Sequence, residues 1–131
     1  MLFHVFNSQE KLRDFGGSAF IEIQFCKMPY GTKTKKLVAI NSVKHWLNDS
    51  LYIHINDEHT FLQEYSSIFT CGIYNNLKSG TVDIFGINYY APDLVDSIIT
   101  KLYEDKPLEY ITLVEWLTKA KEYNGFYILG V

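Results

Sequence analysis

Apolar positions along this chain switch between a period of two and a helical period several times. Ala19, Ile21, Ile23 and Phe25 alternate with Phe20, Glu22 and Gln24, which predicts a strand with one solvent-facing side. Leu51, Ile53 and Ile55 alternate with Tyr52 and His54 and predict a second half-exposed strand. Between them, Leu37, Ile40, Val43 and Leu47 recur at helical spacing, so a helix is expected over about 36–48; the alternative is a strand at Leu37–Ile40 followed by a shorter helix capped at Ser42.

Local signals extend the pattern to both ends. Leu2–Phe6 reads as a strand or a packed arm, and Asn7 or Ser8 can cap a short helix that runs through Asp14 and stops at Gly16-Gly17. Cys26–Lys36 is a surface loop, and Asp57–Tyr65 is a short helix capped at Asn56 or Asp57. Ser67–Tyr74 and Thr81–Tyr90 flank a six-residue Asn/Gly-containing stretch and predict a hairpin. Thr81–Tyr90 is mostly apolar or aromatic on both sides, as suits a strand covered on both faces. Pro92 then opens a helix over about 92–103, Pro107 ends that unit, and a second helix covers about 108–123 with Tyr110, Leu113, Val114, Leu117 and Ala120 inward. Asn124-Gly125 offers a left-handed stop, and Phe126–Val131 is apolar enough to lie centrally in a sheet. The expected class is α+β: a mixed β-sheet packed against the helices at about 92–103 and 108–123, in one compact domain over 1–131.

Composition changes this picture in two respects. Aromatic residues make up 16% of the 131 residues, with ten Tyr and nine Phe, enough both to stock a core and to supply contact surface. Charge is divided unevenly: residues 1–48 carry seven basic and three acidic side chains, and residues 49–131 carry five basic and twelve acidic. The acidic C-terminal part disfavours nucleic acid as a direct partner and favours a basic macromolecule. No apolar run approaches the ~20 residues that span a bilayer, and the N-terminal residues lack a signal peptide's charged start and cleavage site. Cys26 and Cys71 have neither metal nor redox spacing and read as reduced, buried thiols of a cytosolic protein.

Candidate chemistry is sparse. His54, Asp57 and His59 form the only local cluster of metal-ligand type, which makes a small metal-dependent hydrolase the enzymatic alternative. Cys71-Gly72 lies in an apolar run without a nucleophile-elbow pattern, and Phe15-Gly-Gly-Ser18 leads into a strand rather than a phosphate-binding helix. Lys27, Tyr30, Lys33, Lys35 and Lys36 mix charge with an aromatic ring, as a single-strand nucleic-acid surface does, and also read as a solvated loop. With no catalytic residues and no cofactor expected, protein docking is the stronger reading. Its candidate contacts are Asp57, Glu58, Asp83, Tyr89, Tyr90, Asp93 and Asp96, with Tyr89 and Tyr90 equally readable as core.

Two stretches carry a resemblance. Asp83-Ile-Phe-Gly-Ile-Asn-Tyr-Tyr90 followed by a Pro-initiated helix, together with Glu115-Trp-Leu-Thr-Lys-Ala-Lys-Glu-Tyr-Asn-Gly-Phe-Tyr-Ile-Leu-Gly130, resembles immunity proteins of bacterial contact-dependent growth inhibition systems, the group paired with ribonuclease toxins. The resemblance covers roughly the C-terminal 50 residues. It implies a cytosolic, non-enzymatic inhibitor that binds the C-terminal domain of a cognate toxin and blocks its RNA-cleaving site, transfer RNA being one possible target. A generic acidic protein-interaction adaptor is the remaining alternative.

Overall fold

The computed structural model describes all 131 residues. Its organising fact is a buried carboxylate. Strand β1 (Phe20–Phe25) is buried along its whole length, Glu22 and Gln24 included. The face expected to meet water is covered by the chain that follows. Glu22, only 3% exposed, accepts from the backbone N–H of Trp46 (2.8 Å) and Leu47 (3.0 Å), from Ser50 Oγ (2.7 Å) and from Gln24 Nε2 (2.9 Å), with Tyr52 Oη 3.2 Å away. A buried charge is tolerable only when its lone pairs are filled in this way.

The same network explains why no long helix forms over 36–48. The segment contains α2 (Thr34–Leu37), a single 3₁₀ turn at Ile40–Ser42, and then an extended run with Trp46 at φ 71°. Sheet side chains take the backbone groups a helix would have used. Tyr127 Oη donates to Leu37 O (2.6 Å), Gln24 Nε2 to Lys44 O (2.7 Å) and Tyr52 Oη to Leu47 O (2.6 Å). The apolar period was real, but it serves to cover the sheet: Leu37 and Val38 are buried against Cys26, Tyr89, Tyr127 and Leu129.

The other elements are α1 (Gln9–Gly16), β2 (Leu51–His54), α3 (Glu58–Tyr65), β3 (Gly72–Tyr74), β4 (Ser79–Gly80), β5 (Ile87–Tyr90), α4 (Val95–Asp105), α5 (Tyr110–Ala120) and β6 (Phe126–Leu129). The strand order is β2-β1-β6-β5-β3-β4. The α+β class stands; the sheet's directions are simpler than a mixed sheet, since every pairing is antiparallel. As its apolar run suggests, β6 is central, between β1 and β5. Beyond β2, the Leu2–Phe6 arm adds one bridge, His4 to Tyr52, and so shields that edge. Glu109 holds the arm by accepting from Leu2 N–H (2.6 Å) and Phe3 N–H (3.3 Å). Tyr52 is therefore buried rather than half exposed.

Strand alternation separates two cores. Ile21, Ile23, Phe25, Ile53, Tyr90, Phe126 and Ile128 face α3, α4 and α5, where Phe25 stacks on Trp116 at 4.0 Å. The opposite face is covered by α1, α2 and the 38–50 run in two smaller clusters. Ser8 caps α1, its Oγ accepting from Lys11 N–H, and Gly17 at φ 86° ends it.

The stretch Thr81–Tyr90 becomes a strand only from Ile87. Its first half is a turn stapled by Asn88, which is fully buried. Asn88 Oδ1 accepts from Asp83 N–H (2.8 Å), and Asn88 Nδ2 donates to Asp83 O (2.8 Å) and Ile128 O (2.9 Å). The tight hairpin joins β3 to β4, and β5 pairs with the other side of β3, Ile73 opposite Tyr89. The α4–α5 helical hairpin follows, with Lys121 at the end of α5 paired to Asp96 at the start of α4. No helix is long and apolar enough to cross a membrane.

Replacing Glu22 with Gln keeps the volume and removes the charge. With its amide oxygen at the Oε2 position, the NH2 group faces the Trp46 N–H, donor against donor, and the remaining bonds lose their charge assistance. Glu22→Gln is expected to cost about 2–4 kcal/mol of unfolding free energy, read as a lower urea midpoint at an unchanged slope. A midpoint equal to that of the parent chain would remove the carboxylate from its organising position.

Candidate functional site

The structure sorts the sequence-predicted residues into separate places. Tyr89 and Tyr90 belong to the core. Tyr89 Oη donates to Asn124 O (2.8 Å), and Tyr90 stacks on Phe126 at 4.8 Å and is fully buried. Both are thereby removed from any contact surface: a strand covered on both sides leaves neither face for a partner. Asp57 and Glu58 are half-buried where β2 passes into α3. Asp83 is exposed, but its Oδ1 closes its own turn by accepting from Phe85 N–H (2.9 Å). Asp93 and Asp96 are exposed at the start of α4. Register fixes their separation. β2 ends and β5 begins at the same end of the sheet, opposite Phe20 and Leu129 respectively, whereas β5 delivers α4 from the other end, where Tyr90 faces Phe126. The seven residues therefore do not converge on one patch.

The histidine cluster does not assemble. No three His, Cys, Asp or Glu side chains stand close enough to share a metal ion. Both ring nitrogens of His54 are engaged: Nε2 with Gly16 O (2.8 Å), and Nδ1 with the N–H of Asn56 (3.1 Å). Since the carbonyl accepts and the amide donates, the ring is the Nε2–H tautomer, a structural histidine that ties α1 to β2. Two members of the basic loop are also committed to the fold, while Lys33, Lys35 and Lys36 are exposed and form no ion pair. Lys27 pairs with Asp49 at 2.8 Å and lies over the Tyr123 ring, and Tyr30 Oη donates to Tyr123 O (3.0 Å). Cys26 is buried as expected, but Cys71 is exposed, because the strand begins one residue later, at Gly72.

What the fold does assemble is charge. The chain that forms the helical layer, residues 55–71 and 91–125, holds ten acidic and four basic side chains. The segments covering the other face, residues 7–17 and 26–50, hold seven basic and three acidic. The bias along the sequence thus becomes a bias between two sides of one sheet. Several helical-layer acids have internal duties: Glu109 holds the arm, Glu64 accepts from Leu108 N–H (2.8 Å), and Asp96 pairs with Lys121. Asp93, Glu104, Asp105, Glu115 and Glu122 are exposed and form no ion pair.

On the opposite face an open groove of about 900 Å³ runs over Phe20, Ile87 and Leu129, with Ile40, Val43 and His45 on one wall and Phe85 and Val131 at its rim. His45 is the only titratable side chain lining it, so the groove presents apolar surface rather than a reactive pair. The sequence patterns did not mark it, because Phe85 was assigned to a strand and Val43 to a helix.

The core placement of the tyrosines is measurable. Burial, the largest cause in each case, pushes the phenols of Tyr52, Tyr65, Tyr89, Tyr90 and Tyr127 above the ordinary value of 10.0; the Glu22 charge adds to the effect on Tyr52, and Cys71 to that on Tyr90. A phenol whose folded value is raised contributes stability that is fully present below the unfolded value, near pH 10, and is lost as pH rises beyond it. An alkaline titration followed at 295 nm should show five of the ten tyrosines silent until the chain unfolds. Ten phenols ionising together while the far-ultraviolet circular dichroism stays native would contradict this packing.

No protein-family model, no curated protein and no solved structure matches the chain.

Proposed function

We propose that this chain is an immunity protein of the contact-dependent growth inhibition type, which binds the C-terminal domain of a cognate ribonuclease toxin in the cytosol and keeps RNA from its active site. The observation that carries the reading is the excess of exposed, unpaired carboxylates on the helical side of the sheet, Asp93, Glu104, Asp105, Glu115 and Glu122 against Glu10 and Asp14 on the other side. An RNA-cleaving domain must present cationic surface to hold phosphates. Carboxylates gathered on one side of a rigid sheet can occupy that ground in their place and speed the encounter. The resemblance of Asp83–Tyr90 and Glu115–Gly130 to such immunity proteins is what suggests the class of partner. The inhibitor itself makes and breaks no bond, needs no cofactor, and acts by coverage, across an interface of roughly 800 Å² on each partner.

The test uses the toxin domain encoded beside this chain. The purified pair should form a one-to-one complex by size-exclusion chromatography, and the complex should leave RNA intact. Reversing Asp93 and Glu122 to Lys, both exposed and unpaired, should slow association by about 10-fold at low salt and much less at high salt, with the thermal melt unchanged. Full RNA cleavage at several-fold molar excess of this chain would overturn the reading.

A further inference from the structure

With Tyr89 and Tyr90 in the core, the contact surface needs other apolar anchors, and the α4–α5 hairpin holds three, one near the end of α4, one in the turn and one at the start of α5. Tyr103 is 51% exposed, Leu108 47% and Ile111 45%, all within nine positions around a single turn. Scattered exposed apolar residues are ordinary on any protein. These three differ in how firmly they are held. Leu108 has both backbone groups taken by α3, its N–H by Glu64 Oε1 (2.8 Å) and its C=O by Tyr65 Oη (2.6 Å). Tyr103 packs edge-on against Tyr110 at 6.1 Å. Two non-glycine residues of the turn, Lys106 at φ 47° and Glu109 at φ 58°, adopt the left-handed conformation, and the carboxylate of Glu109 is anchored by the N-terminal arm. A backbone kept in costly geometry by so many contacts presents its side chains in one arrangement, which lowers the ordering cost of binding.

We propose that Tyr103, Leu108 and Ile111 form the apolar anchor through which this chain grips a basic protein surface, with Glu104 and Asp105 as its charged rim. The inference rests on the functional reading above and names where its binding energy lies. Charge selects the occupant. Glu104 and Asp105 are exposed and without ion pairs, on the side of the sheet where acids outnumber bases. Such a rim repels phosphate backbones and anionic lipid heads, and it attracts the cationic surface of an RNA-binding protein. An aromatic ring and two branched aliphatic side chains, desolvated together behind that rim, make the arrangement from which most interface energy comes.

Kinetics of binding to the adjacent-gene toxin domain, measured by biolayer interferometry, test this. Tyr103→Ala and Leu108→Ala should each weaken binding, by about 30-fold for the tyrosine, almost entirely through faster dissociation. The pair Glu104→Gln and Asp105→Asn should slow association in a salt-dependent way. Phe85→Ala, at the rim of the groove on the opposite face, should leave both rates unchanged, and circular dichroism with thermal melts should confirm that every variant is folded. If the parent chain binds and the turn variants bind within two-fold of it, the anchor is elsewhere and the immunity reading stands. A loss on Phe85→Ala in place of Tyr103→Ala moves the anchor to the groove and likewise overturns this proposal. If the parent chain forms no complex, the functional reading falls and this anchor falls with it.

Discussion

One buried carboxylate decides the shape of this molecule. Taking a lone ionised Glu out of water costs several kcal/mol after relaxation, and Glu22 avoids that penalty by filling its lone pairs with four donors. Three of the four lie between Trp46 and Ser50, so satisfying the charge draws that segment down onto the sheet. Once it is there, Trp46 is held at positive φ, Leu37 and Val38 cover Tyr127, and the second face of the sheet is closed over most of its area. Without an acceptor at position 22, the backbone of 43–50 would have its own hydrogen bonds to make, and the helical period in that stretch would have little to oppose it.

Closing the second face also separates charge. Lys11 and Arg13 lie on α1, and Lys27, Lys33, Lys35, Lys36 and Lys44 on the chain that follows β1 across the same face, whereas most acidic residues of the C-terminal part sit in the helical layer on the other side. A sheet with a helical layer on one side and an irregular cover on the other is therefore electrostatically two-sided. On the proposed reading, this sidedness would set orientation before any close contact is made, because a charged partner's field favours one approach over the other. The open groove lies on the basic, irregular side, away from the helical surface.

Much of this was legible in the sequence, and the exceptions have physical causes. The capped α1, the Pro-opened α4, the amphipathic α5 and the central β6 follow from local signals that tertiary structure left alone. Glu22 and Gln24 looked like a wet face because pattern reading counts polarity and cannot see a distant segment arriving with donors. The 36–48 helix failed for the same reason from the other side. Trp116 joins the core through its stack on Phe25, though an inward stripe drawn at helical spacing passes beside it. Of the predicted site residues, Asp93 and Asp96 are where a contact surface could use them, Asp57 and Glu58 are half covered at the opposite end of the sheet, and Tyr89 and Tyr90 were consumed by packing. The signal that could have identified these residues was present: Tyr103 and Ile111 are large apolar side chains off the buried stripes of their helices, and Leu108 is one in the turn between them, and such positions are the informative ones.

The two stretches that resemble immunity proteins are occupied with holding the fold together. In Asp83–Tyr90, Asn88 closes a turn onto Ile128 and the two tyrosines fill opposite faces of the sheet. In Glu115–Gly130, Trp116 and Phe126 build the main core. Gly125, at φ 79°, lies where a Cβ would run into the Tyr90 carbonyl, and at Gly130 one would meet the carbonyl of Ile84. Changes at such positions cost stability whatever the partner is, so they bear on architecture and carry little information about which surface is bound. The outward sides of α4 and α5 are under no such constraint: an exposed Tyr103, Leu108 or Glu104 can be exchanged at small cost to the fold. On the proposed reading, an interior costly to change and an exterior inexpensive to change would let the bound surface follow its partner while the fold stays the same.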